Sequence, residues 1–259
     1  MPPILFDIQD QVARIRLNRP EVFNSFNREM ALSLQSYLQQ CQEDAAIRSV
    51  YLTGKGRAFC AGQDLQEVSD PDQFLGFERV LNEHYNPIIR LMRQLEKPVV
   101  VAVNGVAAGA GANIALAGDV VVASEKANFL QAFSKIGLIP DSAGTYFLPR
   151  LIGWQKASAL MMLGEKVKAE EAERMGMIFR VYPVEEFAAA SWQLALQLAK
   201  MPTRGLAMTK QALNQAMGNE LEAQLALETD LQTQAGATED YAEGLQAFLE
   251  KRAPDFKGQ

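Results

Sequence analysis

Histidine occurs once in this 259-residue chain, at His84, and cysteine twice, at Cys41 and Cys60. One histidine and two distant thiols offer no metal-ligand spacing, so no metal site is expected. Nor can two cysteines make the disulfide framework of a small secreted domain; reduced thiols in a cytosolic protein are the simpler reading. Positive charge is also in short supply. The chain has 25 Lys and Arg against 31 Asp and Glu, a net charge of −6. A nucleic-acid footprint is basic, so no nucleic-acid partner is expected. No apolar run approaches the roughly 20 residues that a membrane helix needs. The opening Met1-Pro2-Pro3-Ile4-Leu5-Phe6-Asp7 has neither the basic start nor the apolar stretch of a secretory leader. These absences together lead us to expect a cytoplasmic location and no membrane contact.

Core-forming material is present in ordinary amounts. Hydrophobic residues make up 48% and charged residues 22%, which suits a folded globular chain. The length allows one α/β domain or such a domain with a helical appendage. Ile4 to Asp10 and Val12 to Leu17 read as strands around a tight turn. Asn27 is placed to cap a helix that carries apolar residues at Met30, Leu32, Leu34 and Leu38 on roughly helical spacing and ends near Asp44. Val50 to Thr53 reads as a strand. Ser69 to Glu78 reads as a mobile surface segment entering a helix that runs to Leu95, with a break before Pro87. From Val184 onward the pattern is helical: Glu185 to Lys200, Thr203 to Met217, Glu220 to Thr233 and Asp240 to Arg252. Strands alternating with helices, then helices alone, predict an α/β core over residues 1–195 and a C-terminal helical module over 196–259.

The stretch Pro98 to Arg150 organises the rest. A β-branched run, Val99 to Val103, turns through Asn104-Gly105 into Ala107-Ala108-Gly109-Ala110-Gly111-Ala112-Asn113. A buried strand feeding a glycine-rich helix start leaves backbone N–H groups free to meet negative charge. A second apolar run, Val120 to Ala123, follows, and then Gly137-Leu138-Ile139-Pro140-Asp141 with Gly144-Thr145. Asp141 is a single carboxylate in a small-residue turn, and a plain helix N-cap is the alternative to a proton-transfer role. A dinucleotide fingerprint fails, because its last glycine would fall at Ile114. A serine hydrolase built on Ser142 lacks a base when His84 lies in a distant helix. His84 is expected at a pocket rim or in solvent, Cys60 is expected packed, and Met161-Met162 are expected to fill the core.

Taken in order, Asn18-Arg19-Pro20, Asn24-Ser25, Ala61-Gly62-Gln63-Asp64, Val103 to Gly111, Gly137 to Asp141, Gly144-Thr145 and Phe248 to Phe256 resemble the enoyl-CoA hydratase/isomerase (crotonase) superfamily. The likeness spans nearly the whole chain. It implies a ClpP-like fold, a superhelix of β-β-α turns with a C-terminal helical module that assists assembly into homotrimers or hexamers. It implies an acyl-CoA thioester as substrate, with CoA part of the substrate and no separate cofactor. Two backbone N–H groups would hold the thioester oxygen, and the matching positions are Gln63 and Ala110. Fixed donors of this kind lower an enolate-forming barrier by about 3–4 kcal/mol each. The resemblance further implies CoA contacts at Val22 and Phe23, at Ala61, Gly62 and Asp64 of the turn, and at Lys251. Arg57 would stand near the CoA entrance or face solvent.

Two glutamates of the family's hydratases are missing. The first would fall three residues after Ala110, at Asn113, and the second eight residues before Asp141, at Phe133. Neither side chain can take a proton, so two-carboxylate water addition is not expected. One carboxylate, Asp141, facing an oxyanion hole suits a proton shuttle that moves a double bond. The segments Ala107 to Ala112 and Ala132 to Asp141, with Tyr85-Asn86-Pro87 upstream, resemble the family branch that isomerises ring-epoxidised phenylacetyl-CoA to its oxepin. That branch also shifts double bonds from the 3- to the 2-position. A nucleophilic, dehalogenase-like Asp141 and a non-catalytic relative stay open as alternatives. The acyl-pocket path through Gln66 to Phe77 is not readable from sequence.

Overall fold

Val99-Val100-Val101-Ala102-Val103 is apolar at every position, as a strand covered on both faces must be. The computed structural model describes residues 1–69 and 74–259, and there this segment is a fully buried central strand. Asp70, Pro71 and Asp72, within the segment expected to be mobile, lie outside the described residues.

The chain opens with a hairpin, β1 (Ile4–Gln9) and β2 (Val12–Leu17). Asp10 and Gln11 close it with φ of 50° and 64°, the left-handed pair that a two-residue turn requires. Helix α1 (Arg28–Glu43) begins where Asn27 Oδ1 accepts from Met30 N at 3.0 Å. Strand–strand–helix turns then repeat. The first holds β3 (Ser49–Gly54), β4 (Ala58–Cys60) and the helices α2 (Leu65–Ser69), α3 (Phe77–Val80) and α4 (Asn86–Gln94). The next holds β5 (Val99–Val103), β6 (Val106–Ala108) and α5 (Ala110–Leu116). Then come β7 (Val120–Ser124), β8 (Asn128–Leu130), α6 (Gly144–Ile152) and α7 (Trp154–Leu163). The chain continues through β9 (Lys166–Lys168), α8 (Ala169–Arg174) and β10 (Arg180–Tyr182). It ends in α9 (Val184–Ala199), α10 (Thr203–Ala216), α11 (Leu221–Gly236) and α12 (Glu239–Glu250).

Each turn contributes its first strand to one sheet and its second to another. Among the described residues one sheet has six strands in the order β1-β2-β3-β5-β7-β10, and the other has four, β4-β6-β8-β9. Pairing is parallel except at β1/β2 and β8/β9. This is the β-β-α superhelix that the family resemblance implies. In the larger sheet Leu52 lies beside Val101, and Val101 beside Val121. Alternation then sorts β5 between two cores. Val99, Val101 and Val103 face the main core, whereas Val100 and Ala102 face a second cluster with Tyr51, Val122, Phe187 and Ala195. Helix α9 closes that second face, anchored by a 2.9 Å hydrogen bond between the Tyr51 and Ser191 hydroxyls. Burying each such valine stabilises the fold by about 1.5–3 kcal/mol.

Several sequence expectations are corrected here. His84 is buried at 2% exposure, where Arg28 Nη1 donates to its Nε2 at 2.9 Å. Met162 is 75% exposed, on the outer side of α7, while Met161 packs against the core. A late strand, Arg180–Tyr182, lies beside Val122 to Ser124. Among the described residues no helix is long and apolar enough to cross a membrane.

Candidate active site

The smaller sheet delivers the candidate residues to one place. Strand β4 ends at Cys60 and β6 at Ala108, and the two strands pair in parallel. Just beyond them the chain turns at Gly62 (φ 96°) and Gly109 (φ 52°), backbone conformations that favour glycine. The two turns nearly touch. A Cβ on Gly62 would lie 3.0 Å from Ala108 O and 3.6 Å from Ala110 N. Phe26 N donates to Gly62 O at 2.7 Å, and Asp64 N donates to Phe26 O at 2.8 Å. Gln63 lies between those two bonds in a parallel bridge, so its own N–H points away from Phe26. Ala110 is the first residue of α5, and a helix has no internal acceptor for that N–H. Two N–H groups that have no backbone acceptor among the described residues thus stand on adjacent turns.

Asp141 is tied to the same helix, α5. Asn113, one turn on from Ala110, donates Nδ2 to Asp141 O at 2.8 Å. Ser142 Oγ donates to Asp141 Oδ1 at 2.9 Å. Ser142 and Ala143 both take left-handed φ, 49° and 58°, so the chain reverses sharply behind the carboxylate. Burial pushes the Asp141 carboxyl up to about 6, and the Ser142 hydrogen bond holds it from going higher. A helix-capping role for this side chain fails. Helix α6 starts at Gly144, its cap position is Ala143, and no side chain caps it.

Tyr85, quoted from the sequence only as part of a resemblance, joins the two halves. Its Oη donates to Gln63 Oε1 at 2.5 Å. Burial raises its phenol well above the ordinary value, and the charge of Asp141 is among the further causes. The tyrosine therefore stands near enough to Asp141 to feel its charge. Phe133 adds an apolar wall, with its ring edge 3.7 Å from a Cβ placed on Gly109. Cys60 lies beneath the site, packed and with its thiol pushed up to about 12 by burial.

The remaining predicted contacts divide. Ala61 N donates to Phe23 O at 3.0 Å, so the Val22-Phe23 segment and the Ala61-Gly62-Gln63-Asp64 turn form one surface. The Arg57 guanidinium covers the Phe23 ring at 4.5 Å. Asp64 is buried and paired with Arg19 at 2.9 Å, and its Oδ1 accepts from Gln66 N. Its carboxylate thus holds the turn. Lys251 lies apart, at the C-terminal end of α12 with φ of 55°. Among the described residues no hydrogen bond or ion pair joins α12 to the loops at 63, 110 or 141. Nor do three His, Cys, Asp or Glu side chains converge as metal ligands among those residues. A cavity of about 780 Å³ between α10 and residues 94–97 lies elsewhere. Its buried cations are satisfied: Lys97 Nζ donates to Asp44 O and Lys210 Nζ to Met92 O, each at 2.7 Å.

The chain matches known proteins over nearly its whole length. A family model described as enoyl-CoA hydratase/isomerase matches residues 7–259. A 1,2-epoxyphenylacetyl-CoA isomerase of Escherichia coli (strain K12) is 48% identical, over 99% of this chain and 98% of its own. A Rhodobacter capsulatus protein named "Probable enoyl-CoA hydratase" is 45% identical over the same shares. Among solved structures, an enoyl-CoA hydratase from Bacillus anthracis superposes with a TM-score of 0.92 at 34% identity, covering 99% of this chain and 100% of that one.

Proposed function

The chain belongs to the enoyl-CoA hydratase/isomerase family, and from that membership we propose that it is an acyl-CoA isomerase with Asp141 as its acid/base group. The thioester oxygen docks on the N–H groups of Gln63 and Ala110. Acidity at C2 of a 3-enoyl thioester rises as that oxygen takes negative charge. The Asp141 carboxylate removes the C2 proton, the electron pair spreads to C4, and the carboxylic acid returns the proton there. Proton and charge balance, and the double bond has moved from the 3- to the 2-position. With a ring epoxide as substrate, Asp141 assists opening and ring expansion. The 48% identity to the Escherichia coli isomerase supports the aromatic, ring-epoxidised acyl group, and with it a role in phenylacetate catabolism.

One observation carries the choice of isomerisation over water addition. Asp141 is a carboxyl that burial pushes up to about 6, suited to exchanging protons near neutrality, and the Asn113 amide ties its backbone to the helix that begins at Ala110. The two places where a hydratase would hold its glutamates are Asn113 and Phe133, an amide committed to Asp141 O and an apolar ring. The C-terminal helices also present Leu221, Leu225, Leu245, Phe248 and Leu249 to solvent. Those exposed residues support a homotrimer, or paired trimers, in which residues 196–259 join copies and Lys251 reaches CoA phosphate. A sedimenting monomer would overturn that assembly.

The test is a panel of acyl-CoA esters, including a ring-epoxidised phenylacetyl-CoA and a 3-enoyl-CoA, with products identified by mass and absorbance. Asp141→Asn should lose at least about a hundredfold in turnover while keeping acyl-CoA affinity. Turnover at the wild-type rate in that variant, or brisk hydration of crotonyl-CoA by the unaltered chain, would remove the proposal.

A further inference from the structure

The helix before the central strand is interrupted where it meets the site. Between α3 and α4, residues Leu81–Tyr85 form a π-helical turn, closed by Asn86 N donating to Leu81 O. Pro87 supplies no N–H to the turn above it. The side chain of Gln35, from α1, fills that gap: its Nε2 donates to Glu83 O at 2.8 Å and to His84 O at 3.1 Å. Inserted turns of this kind recur at functional sites, because the extra residue re-aims a side chain. The turn ends on Tyr85, 1% exposed and edge-on to Phe26 with ring centroids 6.0 Å apart.

From there a continuous series of hydrogen bonds runs through the oxyanion turn. Tyr85 Oη donates to Gln63 Oε1 at 2.5 Å, and Gln63 Nε2 donates to Glu67 Oε2 at 2.9 Å. The other oxygen of Glu67 accepts from Arg28 N at 2.9 Å. Both polar atoms of the Gln63 carboxamide are therefore held, one by the π-turn and one by α2. The peptides before and after Gln63 are both pinned by Phe26, and the Asp64 side chain is held by Arg19. The side chain adds a further restraint on rotation of the Gln63 peptide about this bridge. Because burial keeps the phenol protonated, the donor stays in place across the working pH range.

We propose that Tyr85 is a positioning residue, whose hydroxyl fixes through the Gln63 carboxamide the direction of the Gln63 N–H toward the thioester oxygen. The proposal rests on the acyl-CoA reading of the site given above. Oxyanion donors act by preorganisation, so a donor free to swing stabilises the developing charge less, while ground-state binding along the CoA is untouched.

The experiment compares the full-length chain with Tyr85→Phe, Gln63→Met and the double variant. A 2,4-dienoyl-CoA serves as probe, because its near-ultraviolet absorbance moves to the red when the thioester carbonyl is polarised. The expected result is a red shift on binding to the unaltered chain, cut to half or less in Tyr85→Phe, with probe affinity within about threefold. Turnover of a 3-enoyl-CoA falls by about tenfold or more, as small misplacements at reacting centres do. The double variant is no worse than the poorer single one, because both remove the same bond. A Tyr85→Phe protein with wild-type red shift and turnover overturns the positioning role. If that variant does not fold, Gln63→Met decides by the same two readouts, since it keeps the tyrosine and the backbone. No red shift in the unaltered chain overturns the acyl-CoA reading itself, and the positioning role with it.

Discussion

Asn113 donates its side-chain amide to the backbone carbonyl of Asp141 at 2.8 Å, and its own carbonyl oxygen accepts from Gln131 Nε2 at 2.8 Å. Asn113 is buried, as is Gln131. An amide can donate on one side and accept on the other, and this position uses both capacities. A carboxylate here could accept from Gln131 but would face the Asp141 carbonyl with like partial charge. The residue that removes a second acid from the cleft is thus also a strut under the first.

Asn113→Asp tests that strut with no change of shape. The substitution removes the donor to Asp141 O and introduces a buried charge. We expect a stability loss of about 1–3 kcal/mol, the usual cost of stranding a buried acceptor, read as a lower thermal midpoint. Isomerase turnover should fall at least about tenfold, because the 141 loop loses its register. Crotonyl-CoA hydration should stay at background. A variant with wild-type midpoint and turnover would show that the bond does not hold the loop.

Gly144 is shaped around the same amide. A Cβ there would lie 2.3 Å from Asn113 Nδ2 and 2.7 Å from its Oδ1. Asn113 cannot swing aside without losing bonds to both Asp141 and Gln131. Gly144→Ala should therefore destabilise the fold by about 1–3 kcal/mol, the range for overpacking a dense site, and lower turnover as Asn113→Asp does. Pairing it with Asn113→Ala should restore part of the stability, since the truncated side chain leaves room for the methyl. Equal losses in the single and double variants would locate the clash elsewhere.

How much of this was legible in the sequence depends on how local each cause is. Strand β5 and the Asn27 cap were readable, because an unbroken β-branched run and an Asn before an amphipathic stretch act within a few residues. The three-residue strands β6, β8 and β9 were not. In β9, Lys166-Val167-Lys168, a single side chain is buried, and pairing with Leu130 to Asn128 defines the strand. The partner of buried His84 is Arg28, and the π-turn beside it meets Gln35, both on α1 and remote in sequence. Gln63 entered through family likeness alone, and that likeness singled out Ala110 within a helix start already readable as a place of free N–H groups. Periodicity says nothing about two N–H groups on separate loops. Tyr85 was quoted only within the family likeness, and the break before Pro87 was the one local signal beside it.

Asp141 should make the fold pH-dependent in a direction opposite to that of most carboxylates. Its carboxyl is pushed from an ordinary 3.8 up to about 6 by burial. Between those values the folded chain still holds a proton that the unfolded chain has released, so stability falls as pH rises. Below 3.8 the penalty is absent, and above about 6 it is complete. Asp141→Asn carries no such penalty. Its thermal midpoint should exceed that of the unaltered chain at pH 7.5, and the difference should shrink to nothing near pH 3.5. A variant less stable than wild type at pH 7.5 would mean that the charged form is the one the fold favours.

The same carboxyl should set the acid limb of activity. As the proposed proton acceptor, Asp141 must be ionised in the free enzyme, so kcat/KM should rise with pH and level off above about 6. Ser142 Oγ, 2.9 Å from Oδ1, stabilises the ionised form. Ser142→Ala removes that donor and leaves burial unopposed, so the limb should move to higher pH while the plateau above it persists. A pH profile of kcat/KM for both proteins, on one acyl-CoA substrate, reads the displacement directly. A limb that stays put would mean the hydroxyl does not meet the ionised carboxylate during turnover. A limb displaced to lower pH would place the proton on a different group.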